Sequence, residues 1–198
     1  YVNTTAAVKA LTDVVVTSTN AKKIVDQFPK DAKLIFGPDR NLGNYINSVT
    51  GRDMLLWDGA CHVHEQFSVE KLVKLKADYP EAEVLAHPEC KRPLLLMADF
   101  IGSTQALLNY TINSNKKSFL VATESGIIHE MQKKNPDKEF IPVPPNDSTC
   151  ACNECNFMRL NTLEKLYKCL LTETPEILVD EEVRLKAVKP ILKMLEMS

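Results

Sequence analysis

Cysteine thiols are the residues in this sequence whose number and spacing point most directly to chemistry. The 198-residue chain holds six of them, at positions 61, 90, 150, 152, 155 and 169. The densest group is Cys150-Ala-Cys152-Asn-Glu-Cys155, and thiolates this close together can bind one soft metal, either as zinc or as an iron–sulfur cluster. A separate zinc site would need a further ligand, for which only Cys169 or a distant histidine is available. Because nothing in the sequence indicates secretion, metal binding or catalysis is favoured over a disulfide framework.

Histidines and a glutamate supply the second group of residues suited to chemistry. The segment His87-Pro-Glu89 places an imidazole and a carboxylate two residues apart, a pair that can orient a substrate and transfer protons. A loop of this composition is also typical of an ordinary surface turn. His62 and His64 follow Cys61 and would not share a helix face, so only one, His64 in our interpretation, is expected to reach a site beside Cys61.

Two Ser-Thr pairs, Ser18-Thr19 and Ser103-Thr104, occur where a predicted strand passes into a helix. Hydroxyls and free backbone N–H groups at helix N-termini bind carboxylates and phosphates. Ordinary N-capping explains a single pair equally well. Two equivalent pairs in one chain make an anionic ligand a real alternative.

These residues lie at the ends of short apolar segments that alternate with helical patterns. Such alternation predicts an α/β fold with parallel sheets and crossover helices. The predicted strands are Val14–Val16, Lys33–Phe36, Met54–Trp57, Glu83–Ala86, Phe119–Ala122, Phe140–Val143 and Ile177–Val179. The predicted helices include Asn41–Ser48, Ser68–Ala77, Thr104–Asn113, Gly126–Lys134, Thr162–Leu171 and Glu181–Met197.

The sequence contains an internal repeat marked by two cysteines. Seven residues after Cys61 the chain reads Ser68-Val-Glu-Lys-Leu-Val-Lys, and seven residues after Cys155 it reads Thr162-Leu-Glu-Lys-Leu-Tyr-Lys. In both copies the hydroxyl residue predicts an N-cap. The apolar residues that follow predict a buried stripe, formed by Val69, Leu72 and Val73 in the first copy and by Leu163, Leu166 and Tyr167 in the second.

Earlier segments of the two copies match in the same order. Asp13-Val-Val-Val-Thr-Ser18 pairs with Asp99-Phe-Ile-Gly-Ser103, and the next strand ends at Gly37-Pro-Asp39 or at Ala122-Thr-Glu124. Each unit therefore reads as strand, Ser-Thr and helix; strand, acidic turn and helix; strand, cysteine and helix. The segment Ile177-Leu-Val-Asp180 resembles earlier strand ends and indicates the start of a third, partial copy.

Repeat equivalence separates the cysteines by expected role. Cys61 and Cys155 occupy matching places before a helix, so we expect them to project toward a common centre. Cys90 and Cys169 are expected to be buried structural cysteines, the usual state of a free thiol.

Composition is that of an ordinary globular protein. Hydrophobic residues make up 44% and charged residues 25%, enough for a sizeable core. A formal net charge of −2 gives no support to nucleic-acid binding, and no apolar run has the length of a membrane span. The chain opens on Tyr1, which suggests a fragment or a processed product. No glycine-rich phosphate loop or dinucleotide fingerprint is present.

Taken together, several of these motifs resemble those of the quinolinate synthase family. The resemblance runs from the first residue to the last. The motifs that carry it are Tyr1-Val-Asn3-Thr-Thr-Ala-Ala-Val-Lys, Val-Thr-Ser18-Thr-Asn-Ala, Gly37-Pro-Asp-Arg-Asn-Leu-Gly43, Gly59-Ala-Cys61-His-Val-His64, His87-Pro-Glu89, Gly102-Ser-Thr104 and Cys155-Asn-Phe-Met-Arg-Leu-Asn.

The resemblance implies a fold of three similar three-layer α/β/α units with short parallel sheets around a pseudo-threefold axis. Residues 1–76 would form the second unit and residues 77–171 the third. Residues 172–198 would complete the first unit, which is otherwise largely missing from this chain. Three cysteines, one per unit, would hold a 4Fe–4S cluster, with Cys61 and Cys155 as two of its ligands and the third outside this chain.

The resemblance also implies the reaction. The family condenses iminoaspartate (iminosuccinate) with dihydroxyacetone phosphate to give quinolinate in NAD biosynthesis, with the cluster as a Lewis acid. The implied cellular setting is cytoplasmic, with an aspartate-oxidising enzyme as a partner that supplies iminoaspartate, and with no nucleic acid or membrane. The chain alone would be inactive, because the family's N-terminal unit is not present in it.

By matched motif, the resemblance assigns roles to individual residues. Tyr1, His87 and Glu89 would be catalytic, with Glu89 as the main proton-transfer residue. The substrate-binding set would comprise Tyr1, Val2, Asn3, Ser18, His87, Pro88, Glu89 and Thr104.

Overall fold

A computed structural model of the chain describes residues 1–147 and 153–198. Cys150 and Cys152 therefore lie outside the described residues. The helices are α1 (Ala6–Lys9), α2 (Ala21–Asp26), α3 (Arg40–Thr50), α4 (Val69–Asp78), α5 (Arg92–Leu95), α6 (Thr104–Asn113), α7 (Gly126–Lys134), α8 (Leu163–Thr172) and α9 (Glu181–Met197). The strands are β1 (Ile35–Phe36), β2 (Leu55–Leu56), β3 (Glu83–Ala86), β4 (Phe100–Ile101), β5 (Ser118–Ala122) and β6 (Glu139–Pro142).

Short parallel strands form two sheets. One sheet has the order β4-β3-β5-β6, with Val84 opposite Leu120 and Phe119 opposite Phe140. The other pairs β1 with β2. Parallel neighbours need crossover connections, and helices supply them in this chain. The predicted α/β class with short parallel sheets is confirmed.

Both faces of the four-stranded sheet are buried, which makes this part of the chain three-layered. Alternate residues of a strand point to opposite faces. Leu120 packs in one apolar cluster with Leu72 of α4, while Phe119 packs in another with Leu107 of α6 and Met131 of α7. All five side chains are fully buried. The sheet thus has helices on both faces, and the carboxyl ends of its parallel strands all lie on the same side.

Truncating Leu120 is expected to destabilise this core strongly. Leu120→Ala removes a fully buried side chain from β5 and should lower the free energy of unfolding by about 2–5 kcal/mol, since a cavity is left behind. Leu11→Ala is the matched control, because Leu11 is 90% exposed. Urea denaturation measures both, and equal midpoints for the two variants would show that β5 does not lie in a close-packed core.

Helix α9 packs against the N-terminal part of the chain. Met194 and Met197 contact the apolar cluster that contains Phe36, and the Gln27 side chain donates to the Met197 carbonyl at 2.7 Å. The last helix in the chain therefore stabilises the β1–β2 region. Within residues 1–147 and 153–198, no helix has both the length and the apolar character needed to cross a membrane.

The local structure after the two repeat cysteines is equivalent. A short 3-10 helix begins three residues after each, as His64–Gln66 after Cys61 and Met158–Leu160 after Cys155. Helix α4 is then capped by Ser68, which accepts from the Lys71 N–H at 3.3 Å, and α8 is capped in the same way by Thr162. Both predicted N-caps are confirmed.

The first of the two Ser-Thr pairs differs from its predicted local structure. Ser103 caps α6 by accepting from the Ala106 N–H. In the other copy the N-cap of α2 is Asn20, and its side-chain oxygen instead accepts from the Thr17 backbone N–H at 2.7 Å. The Asn20 N–H in turn donates to the Thr17 hydroxyl at 3.3 Å, so a reciprocal pair of the capping-box type precedes α2, and neither Ser18 nor Thr19 is its N-cap.

Two predicted strands are absent. Val14–Val16 is extended, but it makes isolated hydrogen bonds, from the Val2 N–H to the Val16 carbonyl and from the Val15 N–H to the Pro190 carbonyl, rather than a ladder. Ile177–Val179 has no neighbouring strand among the described residues, and Ile177 is 82% exposed. An apolar run forms a strand only where a partner edge is available, which the run itself does not encode.

The predicted buried stripe of α8 is also exposed. Leu163, Leu166 and Tyr167 are 83%, 56% and 63% exposed. In the equivalent helix α4, Leu72 is fully buried and Val69 partly buried as predicted, but Val73 is 53% exposed. Helix α4 lies against the four-stranded sheet, while no described part of the chain covers the apolar face of α8. The prediction was wrong for α8 within this chain.

Candidate active site

A cavity of about 1050 Å³ opens where the carboxyl ends of the strands meet. Ligands of open parallel sheets generally bind at this edge. The cavity brings together most of the residues singled out from the sequence. They are Tyr1, Asn3, Ser18, Cys61, His87, Glu89, Thr104 and Cys155.

Two predicted substrate-contacting residues do not line this cavity. Val2 is 37% exposed, and its N–H donates to the Val16 carbonyl at 2.8 Å. Pro88 is buried between His87 and Glu89. Each of them lies in the sequence between two residues that do line the cavity.

Cys61 and Cys155 are free thiols on the cavity wall. Both are partly buried, and both pack against the same apolar cluster beneath the sheet. Cys61 lies five residues after the end of β2, and Cys155 lies in the sequence that follows β6. Both cysteines line the same cavity, in agreement with the common centre expected from the repeat.

The remaining described cysteines lie away from the cavity. Cys90 is completely buried, its thiol donates to the Ala122 carbonyl at 3.3 Å, and burial raises the pKa of that thiol. It is the structural cysteine predicted. Cys169, on α8, is only partly buried, so its predicted full burial is wrong.

Glu89 forms a buried charged cluster with two histidines. Its Oε2 lies 3.0 Å from His64 Nδ1, and the His64 ring stacks on His87 with 4.6 Å between centroids. His64 Nε2 lies 3.1 Å from the Thr123 hydroxyl at the end of β5. All four side chains are buried. Of the two histidines after Cys61, it is His64 that contacts Glu89, while His62 packs edge-on against Phe157.

The side chains of this cluster differ in their charge. Burial opposes ionisation of both partners, but hydrogen bonding to Cys61 and Glu89 raises the pKa of His64 to about 9, and the His64 contact lowers the pKa of Glu89 to about 2. Burial and the neighbouring His64 charge lower the pKa of His87 to about 4. Near neutral pH the cluster therefore holds an anionic Glu89, a cationic His64 and a neutral His87.

One backbone hydrogen bond determines which ring nitrogen of His87 carries the proton. His87 Nδ1 accepts from the Glu89 N–H at 3.3 Å, so the neutral ring carries its proton on Nε2. The sequence predicted that His64, rather than His62, reaches the site beside Cys61, and His64 does line the cavity. The sequence did not predict the contact of His64 with Glu89 or the part played by Thr123.

Tyr1 completes the acid–base group. Burial raises the pKa of its hydroxyl above the ordinary range, and the negative charge and hydrogen bonding of Glu89 raise it further. A hydrogen bond with Ser18 has the opposite effect and lowers the pKa of the same hydroxyl. Lys9 holds the segment that follows Tyr1, because its ammonium donates to the Val2 and Thr4 carbonyls at 2.7 and 2.6 Å. Tyr1 thus keeps its proton beside an ionised carboxylate.

Three of these side chains could also bind a metal ion. Donor atoms of Cys61, His64 and Glu89 all lie within 4.8 Å of one another. The alternative zinc site built on Cys150, Cys152 and Cys155 falls largely outside the described residues. Sulfur, imidazole and carboxylate donors beside a cavity therefore form a candidate metal site.

The short parallel sheets, and a strand-end cavity that combines thiols with an acid–base cluster, define an α/β protein with a candidate metal-dependent active site. The chain belongs to the family described as NadA: Quinolinate synthetase A protein, whose model matches residues 1–196.

Curated relatives carry the name quinolinate synthase. The chain is 60% identical to the one from Synechococcus sp., 59% to the one from Chloroherpeton thalassium and 58% to the one from Thermosynechococcus vestitus, each over all 198 residues. In each case the match covers 62% of the relative's length. The chain therefore spans less than two thirds of these relatives.

Proposed function

We propose that this chain is part of a quinolinate synthase, which condenses iminoaspartate with dihydroxyacetone phosphate and releases phosphate and water. The observation that carries the proposal is that one cavity combines both predicted cysteine ligands with Tyr1, His87 and Glu89. Family membership and the names of the relatives support it. An aspartate-oxidising enzyme would supply the unstable imine, and the reaction would take place in the cytoplasm.

Cys61 and Cys155 would hold a 4Fe–4S cluster together with a third cysteine outside this chain. The donor chemistry fits, since two free thiols from equivalent loops face one space and thiolates are the usual ligands of such clusters. When bound, the cluster would supply a Lewis-acidic iron that polarises substrate oxygens.

The protein residues would handle the protons. Glu89, ionised by its contact with His64, would accept a proton from substrate carbon or nitrogen. Tyr1, which retains its proton, would donate to a leaving oxygen. His87 would donate a hydrogen bond from Nε2 to a substrate oxygen, because its Nδ1 is already occupied by the Glu89 N–H.

Neutral groups would bind the substrate anions. Lysine and arginine do not occur among the described residues that line the cavity, whereas Asn3, Ser18 and Thr104 do. Thr104 is the first residue of α6, where free backbone N–H groups favour a carboxylate or a phosphate. Hydroxyl, amide and backbone donors would therefore position the anionic groups.

A three-unit organisation would account for the exposed face of α8. We propose that residues 1–76 and 77–171 are the second and third units, that residues 172–198 belong with the first, and that the first unit covers the exposed leucines of α8. Hydrogen exchange tests this in the whole natural gene product. Slow exchange across α8, compared with residues 1–198 alone, is expected; equally fast exchange in both would contradict it.

Quinolinate formation tests the function itself. The whole protein, prepared anaerobically, should convert iminoaspartate and dihydroxyacetone phosphate to quinolinate, and omission of either substrate should abolish the product. A cluster-loaded protein that forms no quinolinate from both substrates would overturn the proposal.

A further inference from the structure

An acidic residue at the end of β1 holds the backbone of Cys61. Asp39 is 4% exposed and uses its two carboxylate oxygens on two different donors. Oδ1 accepts from the Leu42 N–H at 2.7 Å, which caps α3, and Oδ2 accepts from the Cys61 N–H, also at 2.7 Å. One carboxylate thus ties the start of a helix to the loop of a predicted cluster ligand.

A similar arrangement occurs in the second copy of the sequence repeat. Glu124 follows β5, and its Oε2 accepts from the Gly126 N–H at the start of α7 at 2.8 Å. Its Oε1 accepts from the Cys155 N–H at 3.4 Å. Asp39 and Glu124 were the matching acidic turns of the sequence repeat, and no role in the proposed reaction uses either of them.

We propose that Asp39 and Glu124 are equivalent positioning residues, each of which fixes one cysteine loop so that its thiolate can bind the cluster. The inference rests on the proposed function. Partners outside the ligand shell orient ligands in this way at other metal sites. The two carboxylates also place negative charge next to the ligands and keep the cysteine N–H groups from donating to sulfur, and both effects favour the oxidised cluster.

Amide substitution separates these contributions from packing. Asn or Gln has nearly the same shape as the acid but one acceptor oxygen, so only one of the two backbone N–H groups keeps a partner. Asp39→Asn and Glu124→Gln therefore remove a negative charge and one hydrogen bond each. Glu124 is only partly buried, so Glu124→Gln remains informative if Asp39→Asn folds poorly.

A matched control is present in the chain. Asp180 caps α9 by accepting from the Val183 N–H at 3.1 Å and has no hydrogen bond to a cysteine in the described part of the chain. Asp180→Asn thus repeats the loss of a capping carboxylate without touching a cluster ligand. All variants are made in the whole protein and reconstituted anaerobically with iron and sulfide. Iron retention against a chelator and the reduction potential of the cluster are then measured.

Asp39→Asn and Glu124→Gln are each expected to weaken cluster retention about 10- to 100-fold and to shift the potential in the positive direction, while Asp180→Asn matches the wild type. If the wild type holds its cluster and all three variants retain iron and potential equally, the inference is overturned and the proposed function stands. If the wild type takes up no cluster, both are overturned.

Discussion

Cys61→Ser in the whole protein is expected to abolish quinolinate formation and to remove most of the bound iron. Serine keeps the size of the side chain and its place on the cavity wall, but a hydroxyl is a far poorer iron ligand than a thiolate. Iron and acid-labile sulfide are counted after anaerobic reconstitution, and activity is followed as quinolinate produced.

Cys169→Ser is the matched control for this experiment. Cys169 is also a partly buried free thiol, but it lies on α8 and does not line the cavity. Cys169→Ser should keep both iron and activity. A Cys61→Ser protein that retained full iron would rule out Cys61 as a ligand. That result would favour the alternative metal site built on Cys150 and Cys152.

Glu89→Gln is expected to lower kcat by about 10²- to 10⁴-fold while leaving the cluster in place. The amide preserves the shape of the side chain but cannot accept a proton, and it removes the anion that faces His64 at 3.0 Å. Steady-state kinetics measure the loss, and the visible spectrum of the cluster shows whether the metal site is intact.

Glu130→Gln provides the comparison for this second variant. Glu130 lines the same cavity but is exposed and takes no part in the histidine cluster. Its substitution should change kcat little. Wild-type kcat in Glu89→Gln would show that Glu89 is not the residue that transfers the proton.

Local patterns predicted most of the elements of this fold. Helices α6, α7 and α9 and strand β3 have the bounds expected from apolar periodicity and capping residues. The N-caps Ser68 and Thr162 were predicted by the repeat, because capping depends on residues only three positions apart. Features that depend only on residues within one helical turn of each other could therefore be predicted from the sequence.

Features that depend on distant partners were not predicted. Val14–Val16 has the composition of a strand but lacks an adjacent edge, and α8 has an apolar stripe that no described residue covers. The His64–Glu89 contact joins residues 25 positions apart through the packing of two loops. Sequence spacing identified the chemical groups, while the tertiary structure determined which of them meet.

The iron and sulfide content of the reconstituted wild-type protein tests the central claim most directly, namely that Cys61 and Cys155 belong to an iron–sulfur site. Anaerobic reconstitution of the whole protein should give a brown product with about four iron and four sulfide per chain, as for one 4Fe–4S cluster. Stoichiometric zinc with no uptake of iron would contradict it.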